Sequence, residues 1–297
     1  DREKNSFDFE KNFIHHLSSP LPYRRSKDQT VQEFCNELVK EFEQKIEELG
    51  AENIAAFIAE PVLASGGCIV PPDGYFKKIY DVCKKNQIIF IADEVVTGFG
   101  RLGHFFSSEE IFGVVPDIIT CAKGITSGYL PLGAVLFSNK LIADLKDDSS
   151  LFFHGYTYSG HPACCAAALK NIEILKRDKI LEHVKEIEPY FFEKLNSLYE
   201  LPIVGDIRGK GLMAGIECVI NKDSKEALVL DKAIGSRIDE ESIKLGLIIR
   251  PLYHICVLSP ALIINKEQIN ELTEKLYQAI SNTIDQLKNE GLWSQTK

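Results

Sequence analysis

The sequence predicts an α/β protein: a mostly parallel sheet with helices on both faces, followed by a smaller C-terminal α+β unit. Three observations predict it. Short, doubly apolar runs alternate with helical stretches through the first half, the pattern of strands buried on both faces. After Pro162 the texture changes to long amphipathic helices around short strands. No repeat or low-complexity segment interrupts either half. Residues 1–165 are therefore expected to form the large unit and residues 166–297 the small one.

The elements follow in order. Over residues 29–49, Val31, Phe34, Leu38, Phe42, Ile46 and Leu49 recur at helical spacing, and Gly50 ends the run. Residues 54–59 read as a strand, 75–85 as a helix, and 88–92, 118–121 and 133–137 as strands. Residues 163–176 and 180–198 are helical in pattern, with Pro202 closing the second. A strand over 211–219, a helix over 231–245, short strands over 247–250 and 255–258, and a closing helix over 266–287 complete the reading.

Composition excludes several function classes. Hydrophobic residues at 45% and charged residues at 26% describe a folded, soluble chain and not a disordered one. A net charge of -9 argues against nucleic acid, whose partners usually carry a basic face; Arg24, Arg25 and Lys27 read as a short solvated loop. No apolar run approaches the roughly 20 residues of a membrane span. Eight cysteines without a C-x-x-C pair, several inside apolar segments, point to reduced thiols and a cytoplasmic location. His15 with His16, and His154 with His161, lack the spacing of a helical metal pair, so no metal is expected. The start at Asp1, with no methionine and no signal-peptide pattern, points to a fragment.

Ligands of open α/β sheets bind at the carboxyl ends of strands, and two residues of opposite charge stand there. Asp93 follows the run IIFIA and Lys123 follows DIITCA. Each alone can be a polar residue marking where a strand leaves the core. Together they suggest more. A lysine at a semi-buried strand end has a depressed pKa, which frees its amine to attack a carbonyl. A nearby carboxylate holds a heteroaromatic nitrogen protonated. Gly98, Gly100, Gly124 and Gly128 follow these residues and read either as ligand-approach or as plain turn positions. Arg101 reads as an internal or boundary partner, and Glu60, at another strand end, as structural or catalytic.

The blocks AEPVLASGGCIVPPDGYF, IADEVVTGFGRLGHF, PDIITCAKGITSGYLPLGAV and HGYTYSGHP resemble the class III aminotransferases of pyridoxal-phosphate (PLP) fold type I in order and spacing. The resemblance implies PLP as cofactor, Lys123 as its Schiff-base lysine, Asp93 as the partner of the ring nitrogen, and Val95 against one ring face. It also implies that Thr157 reaches the cofactor phosphate of a neighbouring subunit, hence a homodimer with a shared site. A further N-terminal portion with a phosphate cup and a stacking aromatic is implied as well, and no such segment stands in these 297 residues.

Departures from the family's better-known branches narrow the substrate. Where ornithine- and 4-aminobutyrate-type enzymes have a pairing glutamate and arginine, this chain has Ser65 and Val257, and Val96 replaces their glutamine. The pattern is instead similar to the ω-amino acid and amine:pyruvate branch, in which Arg250 of GLIIRPLYH matches an arginine that takes a carboxylate; otherwise it is a surface arginine on a short strand. The resemblance thus implies ping-pong transfer of an amino group from an amine or ω-amino acid to pyruvate or a similar keto acid. An aminomutase or decarboxylase relative, or a catalytically silent remnant, are the alternatives.

Overall fold

A computed structural model describes residues 12–143, 152–227 and 234–294. The first helix, α1 (Val31–Leu49), begins with a capping box. Thr30 accepts from the Glu33 amide while the Glu33 carboxylate accepts from the Thr30 amide. Its buried residues, Cys35, Leu38, Phe42 and Ile46, fall three and four apart on one stripe. Helix α2 (Tyr75–Lys85) buries Tyr75, Phe76, Ile79, Val82 and Cys83 against that stripe.

Four strands make the first sheet: β1 (Ala56–Ala59), β2 (Ile89–Asp93), β3 (Ile118–Cys121) and β4 (Ala134–Phe137), in that order. β1, β2 and β3 run parallel and β4 pairs antiparallel at the edge, so the sheet is mixed. Phe57, Phe90, Ala92 and Ile119 share one face and join the α1–α2 core. The register Ile58–Ile91–Ile118–Phe137 forms the other face, on which Ile58 is 59% exposed. The short helices α3 (Ser107–Glu110) and α4 (Asn139–Ala143) flank β3 and β4.

Helices α5 (Pro162–Arg177) and α6 (Ile180–Asn196) lead to a second sheet of β5 (Val204–Lys210), β6 (Met213–Asn221), β8 (Arg250–Leu252) and β9 (Ile255–Leu258). Its order is β5–β6–β9–β8, all antiparallel, with β7 (Glu226–Ala227) on β6. One face of this sheet, through Ala214, Ile216, Cys218, Cys256 and Leu258, packs on α6, α7 (Ile234–Lys244) and α8 (Lys266–Asn289). The other face turns Met213, Ile255 and Val257 toward Val62, Ala64, Cys68 and Leu102 of the first unit.

Most expected elements fall within a residue or two of these bounds. Two do not. Strand pairing at 247–250 begins only at Arg250, because the Leu247 amide donates to Ser242 O in closing α7 and is not available for a ladder. β5 was not expected: VGDIRGK is charged and glycine-bearing, and only its pairing with β6 makes it a strand. Residues 231–233 of the expected helix lie outside the described residues. No helix among the described residues is long and apolar enough to cross a membrane.

Glu217 of β6 is the most heavily paired group at the junction. Its side chain, 1% exposed, meets Arg24, Arg208 and His254. Burial pushes its carboxyl up, but His254, Arg208 and Arg24 more than offset that and hold it down at about 2. The folded pKa is thus below the unfolded value. Stability from this group is present above about pH 4.5 and is lost as pH falls through that value toward 2. A Glu217→Gln variant should show a flatter fall in urea midpoint over that window than the parent; an equally steep fall would assign the acid sensitivity elsewhere.

Candidate active site

The carboxyl ends of β1, β2 and β3 bring Glu60, Asp93 and Lys123 to one corner. Glu60 follows β1, and its carboxylate accepts the Ala64 amide at 3.0 Å. Burial raises its pKa, the Ala64 bond opposes this, and the charges of Asp93 and Lys123 act on it in opposite directions. Those two residues therefore lie within electrostatic reach of Glu60. Asp93 ends β2, half-buried, and accepts the Val95 amide on Oδ1 at 3.1 Å, a turn that leaves Val95 half-buried beside it. Across the parallel ladder Asp93 pairs with Thr120, whose hydroxyl is buried without a hydrogen-bond partner.

Lys123 opens a single 3-10 turn, Lys123–Thr126, two residues past β3. Its backbone φ of 43° is a left-handed conformation rare for a side-chain-bearing residue. The turn is held by close approach: a Cβ on Gly124 would come within 3.0 Å of Phe99 Cβ and 3.1 Å of Gly98 O, so glycine lets the two loops meet without displacing a neighbour. Asn171 of α5 donates to the carbonyls of Gly124 and Ile125 from the other side. The lysine itself is exposed, not semi-buried. Burial expected of a strand-end residue reaches Ile125 and Thr126 of this turn but not Lys123, whose position faces outward at the turn's start.

Two further expected residues stand apart from this corner along the chain. Thr157 lies exposed on the turn before α5, among the exposed aromatics Phe153, Tyr156 and Tyr158. Arg250 opens β8, exposed, on the second sheet. Arg101 pairs within the fold: its Nη1 donates to Leu212 O at 2.8 Å and Pro260 O at 2.6 Å, and burial lowers its pKa to about 10. Among the described residues no group of three or more His, Cys, Asp or Glu could hold a metal ion.

Sequence reasoning missed Glu94. It is fully buried and accepts from Thr97 Oγ1, from the amides of Ser107 and Ser108, and from both of their hydroxyls. Its own amide donates to Thr120 O, so one residue ties the ends of β2 and β3 to the start of α3. Only Thr97 lies near it in the chain, and the partners that bury it at α3 stand thirteen and fourteen residues on.

Fold and corner together define an α/β protein with a carboxylate and an amine at neighbouring strand ends, where such sheets receive ligands. The profile of the class III aminotransferases matches residues 2–280. A putrescine–pyruvate aminotransferase of Pseudomonas aeruginosa is 42% identical over 271 residues, covering 91% of this chain and 59% of that protein. A probable mitochondrial γ-aminobutyrate transaminase 3 of Oryza sativa is 40% identical, over 95% of this chain and 56% of its own length. Among solved structures, a thermostable (S)-enantioselective ω-transaminase from Thermomicrobium roseum matches with a TM-score of 0.90 at 42% identity, covering 94% of this chain and 62% of that one. The chain belongs to the class III aminotransferase family. It spans less than two thirds of the length of these relatives.

Proposed function

We propose that this chain carries the catalytic corner of an aminotransferase that moves an amino group from an amine or ω-amino acid to pyruvate or a similar keto acid. The observation that carries the reading is the grouping of Glu60, Asp93 and Lys123 at three adjacent strand ends. Relatives named for putrescine with pyruvate and for γ-aminobutyrate favour the same substrate class.

The residues fit PLP. A carboxylate beside a buried, unpartnered hydroxyl, with an amine one turn beyond, is a donor and acceptor set for an aromatic aldehyde with a basic ring nitrogen. When bound, PLP supplies an electron sink for charge developing on the substrate carbon. Asp93 would keep the ring nitrogen protonated, and Val95 would pack against a ring face. Lys123 would hold the cofactor, and its Nζ would serve as the general base that takes a proton from the amine-bearing carbon. Thr157 would reach the phosphate in a neighbouring copy, which makes the working unit a homodimer. Arg250 grips a substrate carboxylate through its planar fork.

Borohydride reduction of the protein with PLP, followed by peptide mapping, is expected to place the cofactor on Lys123. Label confined to other lysines removes the reading.

A further inference from the structure

Arg208 and Arg250 stand in one line across the second sheet. The register runs Arg208 on β5, Gly215 on β6, Val257 on β9 and Arg250 on β8. Directly paired residues of antiparallel strands project to the same face, so all four look toward the first unit. Three strand spacings put the two arginine backbones about 14 Å apart. Between them Gly215 leaves a notch, and the 64–68 turn sits in it: a Cβ on Gly215 would come within 2.7 Å of Gly67 O.

That turn has an exposed tip, Ser65 and Gly66, on a buried base, Gly67 and Cys68. Reciprocal backbone bonds between Leu63 and Ile69, at 3.0 and 3.1 Å, close its base. The Gly67 and Cys68 amides both donate to Ala64 O, at 3.1 and 3.2 Å, and both residues have positive φ. Left-handed backbone at Cys68 persists only when its surroundings hold it. Beyond the turn's own bonds, two side chains help to hold it. Glu60, from the Lys123 corner, takes the Ala64 amide, and Arg208 Nε donates to Gly67 O at 2.8 Å. Arg208 is itself fixed, 9% exposed, with Nη1 donating to Asp206 at 2.8 Å and to Glu217 at 2.5 Å. A Cβ on Gly67 would stand 3.0 Å from Arg208 Nη2.

We infer that Arg208 is a positioning residue for substrate-carboxylate recognition: by holding the Gly67 carbonyl it presents the Ser65–Gly66 tip between the Lys123 corner and Arg250. This rests on the reading of Arg250 given above. Asp206 and Glu217 aim the guanidinium, and a lysine there would keep the charge without the Nε donor.

The test uses Arg208→Lys and Gly215→Ala, which each disturb the turn at the Gly67 carbonyl, with Arg250→Leu as comparison, in protein expressed from its whole reading frame. Both turn variants should speed hydrogen exchange at the Gly67 and Cys68 amides by roughly tenfold. They should raise KM for 3-aminopropanoate by about tenfold and for benzylamine much less, because only the first carries a carboxylate. Arg250→Leu should raise the same KM without changing that exchange. Unchanged exchange in Arg208→Lys overturns the inference, and so does an equal loss with both donors, which marks a merely structural arginine. If Arg250→Leu leaves KM for 3-aminopropanoate unchanged while the turn variants alter exchange, the reading of Arg250 fails and the hold on the turn stands. Protein that turns over neither donor is decided on the exchange result alone.

Discussion

Replacing Lys123 by alanine is expected to slow amino transfer by a factor of about 10²–10⁴, the usual worth of a positioned general base. Lys123 stands two residues past β3, and Asp93 ends the neighbouring parallel strand β2. The lysine side chain is exposed, so alanine removes a functional group without opening a cavity. The urea midpoint should therefore stay near that of the parent while single-turnover transfer collapses, and a small amine added to the buffer should restore part of the rate. A variant that transfers amino groups at the parental rate would show that Lys123 does not carry the chemistry.

The second large effect falls on stability. A Glu94→Ala variant is expected to lose about 3–5 kcal/mol, because several buried donors are left unsatisfied at about 1–3 kcal/mol each. Alanine leaves two amides and three hydroxyls facing a void in a site with no solvent exposure. Glu94→Gln keeps the shape, but its amide nitrogen must face donors, so it should lose about 1–3 kcal/mol. Urea unfolding read by far-UV circular dichroism measures both. An alanine variant within about 1 kcal/mol of the parent would mean that water replaces the carboxylate at little cost.

The other members of the site owe their order to this residue. Glu94 bonds Thr120 O through its amide, which keeps the β3 exit in register with Asp93. Glu94→Gln keeps that main-chain bond, so the variant is expected to lower stability more than it impairs transfer.

Much of this was legible in the sequence, because it rests on local chemistry. The stripe of α1 and the apolar β2 and β3 runs are periodic signals carried by neighbours in the chain. Asp93 and Lys123 were legible for the same reason: each ends an apolar run, and strand ends are where such sheets take ligands. The motif blocks around them identified the family. Helix and strand pattern, the paired charges and the glycines between them are what the amino-acid order by itself determined.

Tertiary structure decided the rest, through contacts between residues far apart in the chain. Whether Lys123 is buried depends on what covers the β3 exit, which no local pattern encodes, and among the described residues it is exposed. β5 exists because β6 pairs with it, and Arg208 acquires meaning only when the sheet aligns it with Gly215, Val257 and Arg250. Glu217 draws Arg24 from 193 residues away, and Gly67 meets Arg208 from 141 residues away. Hydrogen bonds and charges act over a few ångströms in space, whatever the separation in sequence, so these partners emerge only when the two sheets pack together.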